Sequence, residues 1–225
     1  MAMRYKVIPL FTLCAILMLI TGCSERETTN QVSENPQTEI LNMKYETISQ
    51  DWPSYASLED LVNASDKIIL GTVSEISFQV LDIRTGKPPA DNAEKSNCYL
   101  YTIYDVDTIE TYKGNSNDHE EVRIIGGIKD RMVNEQISLV ENGQSIPLIE
   151  GMPSIVEGEM YLFMLYQYED TIPTVVNLDQ RIYNIHEAFS TEKEQNDKIT
   201  VQDIVSYFDA DDWEDLYNKY GELDN

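Results

Sequence analysis

The sequence predicts a mainly β protein: a small Greek-key barrel with a short helix before it and a helical tail after it. Three observations carry this. Residues 67–81 and 99–112 alternate apolar and polar side chains over long stretches, residues 160–166 are apolar on both faces, and the chain changes character after residue 189 into short capped amphipathic segments.

In chain order, residues 24–50 are rich in Glu, Thr, Asn, Gln and Ser and hold too few apolar side chains to bury a surface, so they read as a disordered tether. Order is expected from Trp52-Pro53. Ser57 is placed to cap a helix over 57–62, with Glu59 and Asp60 in its first turn. The first long strand, 67–81, contains Gly71, which suggests a bulge or a sharp coil. Gly86, Pro88 and Pro89 mark an exposed loop over 85–97 before the second strand, 99–112, closes at Lys113-Gly114-Asn115. On that strand Asp105 and Asp107 make the odd-numbered face the poorer core, so Thr102, Tyr104, Val106 and Thr108 are expected to point inward.

A third strand, 121–125, ends at Gly126-Gly127. The 128–157 region is less regular, although Asn142-Gly143 between 137–140 and 145–148 is a strong hairpin signal. The run 160–166 reads as a central strand, followed by candidates at 174–177 and 181–185. Thr200 is placed to cap a helix over 201–208, and a second helix, 212–220, stops at Gly221. The domain organisation expected is a signal at 1–22, a lipidated cysteine with tether at 23–50, a barrel at 51–188 and an acidic helical extension at 189–225.

This order of elements is that of a five-stranded barrel of the oligonucleotide/oligosaccharide-binding (OB) type. The stretches Ala64-Ser65-Asp66-Lys67-Ile68-Ile69-Leu70-Gly71-Thr72-Val73, Tyr101-Thr102-Ile103-Tyr104-Asp105-Val106 and Tyr112-Lys113-Gly114 resemble a netrin-like module, which has this fold. The pattern also occurs in small uncharacterised exported bacterial proteins, and the likeness covers about residues 57–127. Netrin-like modules are held by disulfides, which this chain cannot form. Relatives that inhibit metalloproteinases chelate the metal through an N-terminal cysteine beside the barrel, a mechanism not transferable to a cysteine separated from the barrel by a long tether.

That cysteine is Cys23. Arg4 and Lys6 precede an apolar run from Val7 to Ile20, too short to span a bilayer comfortably and suited to an export signal. Leu19-Ile20-Thr21-Gly22-Cys23 resembles the lipobox of bacterial lipoproteins. The resemblance implies cleavage before Cys23, lipidation of its sulfur with acyl chains such as palmitate, and an extracytoplasmic protein anchored to the cell membrane. Two acyl chains hold durably, at about 0.8 kcal/mol per buried methylene.

Loss of the signal leaves 14 basic residues against 40 acidic ones, a formal charge of −26. A surface so acidic repels nucleic acid and anionic headgroups, so no nucleic-acid partner is expected. Of three cysteines only Cys98 remains, and its alternating apolar neighbours read as packing. Catalytic signatures are weak: no Gly-x-Ser-x-Gly elbow occurs, and His119 and His186 are the two histidines. Zinc-type clusters are missing from the sequence. The acids Asp209, Asp211, Asp212, Glu214 and Asp215 depart from a calcium loop at Glu214 and Tyr220, and Gly126-Gly127 lacks the partners of a phosphate cradle. Tyr99, Tyr101, Tyr161 and Tyr166 sit in strand patterns and are expected in the core.

The reading is therefore a membrane-tethered binding or accessory module with no catalytic residue, cofactor or metal. Its surface would be the 85–97 loop or the 128–157 region, and its partner a protein or peptide. The alternative is a hydrolase centred on His186.

Overall fold

The computed structural model describes residues 44–49, 51–140, 144–177, 180, 182–190, 199–208 and 212–220. The segment expected to be an export signal and most of the expected tether, with Cys23, Asn142, Gly143, Asp209 and Asp211, lie outside the described residues.

Strand β1 (Tyr45–Ile48) precedes helix α1 (Leu58–Ala64). The Asp60 backbone N–H donates to Ser57 Oγ at 3.1 Å, satisfying one of the orphan donors of the first turn as the sequence predicts. At the other end of α1 the Lys113 ammonium donates to the carbonyls of Val62 and Ser65, both at 2.6 Å, where a helix accumulates partial negative charge. The long strands β2 (Lys67–Asp82) and β3 (Cys98–Lys113) follow, then β4 (His119–Ile125), α2 (Val133–Leu139) and β5 (Ile146–Ile149). Next come β6 (Met160–Tyr166), β7 (Thr174–Val175), β8 (Ile182–Asn184), α3 (Ile185–Ser190), α4 (Val201–Phe208) and α5 (Asp212–Tyr220).

Five strands close on themselves. β2 pairs antiparallel with β3, and β3 with β4; β4 meets β7 in parallel, β7 runs antiparallel to β6, and β6 returns to β2. Counting barrel strands alone, this is the cyclic order 1-2-3-5-4-1 with a single parallel seam, an OB-like Greek-key barrel as expected. Closure depends on β2 serving two neighbours. At Gly71 it faces Thr108 on one side and Tyr161 on the other, and the β2–β3 register shifts at that residue. A Cβ there would strike the Val106 side chain and lie 2.7 Å from the Asp107 carbonyl oxygen, so glycine permits the close approach.

Alternation distributes side chains between two cores. Ile69, Val73, Tyr104, Val106, Val122 and Phe163 fill the barrel. The even-numbered face of β3 is thus the inner one, and Thr102, buried with it, donates to the Gly126 carbonyl at 2.8 Å. On the outside, Ile68, Leu70, Leu162 and Met164 pack beneath Leu61 of α1 and Val201, Ile204 and Val205 of α4. This second layer explains why 160–166 is apolar on both faces. Each such side chain contributes about 1.5–3 kcal/mol on burial. The acidic C-terminal segment is therefore a cover for the barrel as well as an extension.

Two expectations are corrected. The tether does not run to residue 50, because Tyr45–Ile48 pairs in parallel with Ile146–Ile149. The hairpin expected around Asn142-Gly143 does not form: residues 137–139 belong to α2, and β5 finds its partner in β1. The cause is tertiary burial. Ile146 and Ile149 are buried, and Gln136 of α2 is pinned by donating to the Ile128 carbonyl at 2.8 Å while accepting from the Ile128 N–H at 3.1 Å. A buried amide with both functions satisfied overrides a local turn preference. Among the described residues no helix is long and apolar enough to cross a membrane.

Candidate functional site

The two regions singled out in the sequence meet. Pro89, Ala90 and Asp91 from the one, with Cys98 beside it, and Leu139, Val140, Gln144 and Pro147 from the other line a cleft of about 810 Å³, together with Val80, Leu100 and Glu46 of β1. Cys98 is only partly buried here, with its thiol 3.6 Å from the Glu94 carbonyl oxygen, rather than packed in the core. The strand begins at this residue, paired with Asp82 of β2, and its pairing with β4 starts only at Tyr101.

A different constellation forms on the outer face of β3 and β4. It starts from the turn after β2, where the Asp82 carboxylate accepts the Arg84 backbone N–H at 2.9 Å and the Arg84 guanidinium at 3.0 and 3.3 Å. The Gly86 N–H donates to the Asp82 carbonyl at 2.7 Å, which curls the turn inward. Gly86 has φ +63°, and a Cβ would strike Arg123 Nη1. Its carbonyl instead accepts from Arg123 Nη1 at 3.0 Å.

Arg123 occupies the middle of β4 at the parallel seam. Its N–H donates to the Pro173 carbonyl at 2.8 Å, and its own carbonyl accepts from Thr174 Oγ1 at 2.9 Å. The guanidinium stands 5.6 Å above the Tyr101 ring and reaches Thr171 Oγ1 from Nη2 at 3.4 Å. Its Nε is buried without a hydrogen-bond partner among the described residues. Burial pushes this group below the ordinary arginine value, and only the Tyr101 hydroxyl opposes the shift. Burial likewise raises the Tyr101 hydroxyl, while Arg123 pulls it down. The Arg84 hydrogen bonds hold Asp82 below the usual carboxylate range.

Above Arg123 lies a pocket of about 280 Å³ rimmed by Ile83, Arg84, Tyr166 and Tyr168. Three of those side chains are solvent-exposed: Ile83 at 52 %, Tyr166 at 45 % and Tyr168 at 51 %. Isolated exposed apolar residues are ordinary, but three around one pocket make a contact surface. Chemically, the pocket offers one uncompensated cation beneath flat aromatic walls. That arrangement suits contact with an anion, and among the described residues that line it no nucleophile stands beside a base.

The tyrosine expectation divides accordingly. Tyr101 and Tyr161 are core residues, whereas Tyr99 and Tyr166 are exposed. His119 opens β4, largely exposed, with its Nδ1 2.6 Å from Asp107 Oδ1. His186 lies in α3 rather than at a strand end. Glu214 and Asp215 face solvent on α5, and among the described residues no three His, Cys, Asp or Glu side chains converge as metal ligands. Gly126 and Gly127 serve the backbone, since a Cβ on Gly127 would strike Gln136 and Ile146.

Sequence reasoning passed over Arg123, Arg84 and Tyr168. The available signal was a lone arginine at an outward position of Glu121-Val122-Arg123-Ile124-Ile125. What the sequence could not show is which side chains face it. Compared with known proteins, the chain matches no family model and no curated protein.

Proposed function

We propose that the protein is a lipid-anchored extracytoplasmic lipoprotein whose barrel acts as a non-enzymatic binding module. The ligand contacts the face formed by Arg123, Arg84, Tyr166 and Tyr168. The anchor rests on Thr21-Gly22-Cys23 and the apolar run before it. The netrin-like reading rests on the resemblance of residues 57–127 and on a barrel of the same order. The carrying observation is Arg123, a partly buried cation with no carboxylate beside it among the described residues, in a chain with 40 acids and 16 bases. A fold with so many acids to choose from leaves this guanidinium open to an outside partner. Barrels of this order use the same face, between the loops after their first and fourth strands, and the likeness is one of position alone.

A photo-crosslinking residue in place of Tyr168 in the intact lipoprotein should give adducts in its own membranes that the same residue at exposed Tyr207 of α4 does not give. Equal labelling from both positions would sink the reading. Cys23→Ala should lose incorporation of labelled fatty acid while its circular dichroism matches the parent, because the core elements among the described residues all lie beyond residue 44. Fatty acid appearing on that variant would end the lipoprotein proposal.

A further inference from the structure

Resting on the reading of this face as a binding site, we infer that its ligand is a carboxylated saccharide: the carboxylate meets Arg123 and sugar rings lie on Tyr166 and Tyr168. Three properties of the pocket select that chemistry.

The first is charge. Arg84 is neutralised by its two-point contact with Asp82, so Arg123 alone supplies uncompensated charge. No carboxylate lines the pocket among the described residues. One free positive charge takes a single carboxylate of the ligand, and a chain of formal charge −24 disfavours the denser charge of nucleic acid. A carboxylate also suits the geometry, since Nη1 and Nη2 each spend a single N–H on Gly86 and Thr171.

The second is the backbone. A peptide bound as an extended strand needs a free sheet edge. Here the sheet is closed by Arg123 N–H to Pro173 and by the Arg123↔Thr174 pairing, so β4 and β7 offer no free edge beside Arg123. Recognition falls to side chains. The third is the rim: two tyrosines two residues apart, each about half exposed, present flat apolar faces with hydroxyls at their edges. A sugar ring has the matching combination of C–H face and hydroxyl edge.

The test uses the full-length chain in detergent and three probes: trigalacturonate, its trimethyl ester and a triglutamate peptide. The ester keeps the rings and removes the charge. Titration calorimetry should show trigalacturonate binding at least about tenfold more tightly than the ester, the scale of one charge-assisted contact, and more tightly than the peptide. Arg123→Gln should abolish the preference for acid over ester, and Tyr168→Ala should weaken both sugars while leaving that preference. Arg123→Lys, which retains the charge, should keep part of it and guards against misfolding of the glutamine variant.

Equal binding of acid and ester, or tighter binding of the peptide, would overturn the carboxylated-saccharide assignment while leaving the face as a binding site. So would failure of both sugars to bind while crosslinking from position 168 persists. Failure of both sugars together with loss of the position-specific crosslink would remove the face itself.

Discussion

Lys67 and Arg123 are both cations withdrawn from water, and the barrel treats them in opposite ways. Lys67, at the start of β2, donates to Glu120 on β4 at 2.7 Å; both side chains are under 10 % exposed, and Glu120 also accepts the Asn117 N–H at 2.8 Å. Charge is balanced, and Oε1 of the carboxylate gathers both contacts. Arg123, three residues along the same strand from Glu120, faces neutral acceptors and an aromatic ring, with one nitrogen unpartnered. Glu120 lies with the buried interior and Arg123 on the outer face, as period-two alternation requires. The difference separates a charge kept for the fold from a charge kept for something outside it.

The interior itself gives the largest expected effect. Val106 is fully buried against Gly71 and the barrel core, so Val106→Asp should cost about 4–5 kcal/mol, because an isolated carboxylate there must be desolvated or protonated. Asp105→Ala, one residue away and facing outward, should stay within about 1 kcal/mol. Thermal unfolding of both variants decides which face of β3 is inside.

Next in size is the buried pair. Lys67→Met should destabilise by about 3 kcal/mol, since it leaves Glu120 charged and buried without its cation. Denaturant midpoints that match the parent would remove the contrast with Arg123.

A third test uses alkali. Tyr161 sits inside the barrel, its hydroxyl accepting from the Val156 N–H at 2.9 Å and donating to Glu159 at 3.0 Å. Burial foremost pushes it from 10.0 up to about 12. The folded state holds a proton that the unfolded chain releases, so its contribution is complete below pH 10 and is lost as the pH rises towards 12. The loss should be about 2 kcal/mol, and Tyr161→Phe should lack this component when the two proteins are unfolded in parallel across that range.

The smallest effect is the most diagnostic. Arg123→Met should change stability by less than about 1 kcal/mol, and in either direction, because removing an uncompensated buried cation relieves desolvation while forfeiting two hydrogen bonds. A loss as large as that for Lys67→Met would make Arg123 a structural residue. Near-neutral stability with lost sugar preference would assign it to binding.

Much of the barrel was legible in the sequence. Alternation marked β2, β3 and β4 to within two residues at each end, the doubly apolar run marked β6, and Ser57 and Thr200 marked helix starts, with Asp203 N–H donating to Thr200 Oγ1 at 3.2 Å. These signals are local: strand period and helix caps are set by neighbours within a few residues. Conversely, β1 escaped notice because Tyr45–Ile48 is too short and polar to declare itself, and it becomes a strand only through β5, about 100 residues away. The same limit applies to α2, which rests on Gln136 and the covered ends of β2 and β3.

The binding face was the least legible part for a related reason. By itself the sequence determined which side chains of β3 and β4 point the same way, since that follows from the pleat. Only the tertiary structure decided that Gly86 and Thr171 close on Arg123, that Tyr166 and Tyr168 stay exposed while Tyr101 and Tyr161 do not, and that among the described residues no acid stands opposite the guanidinium. Burial and charge compensation are properties of whatever distant segment covers a residue, and no periodicity along the chain records which segment that will be.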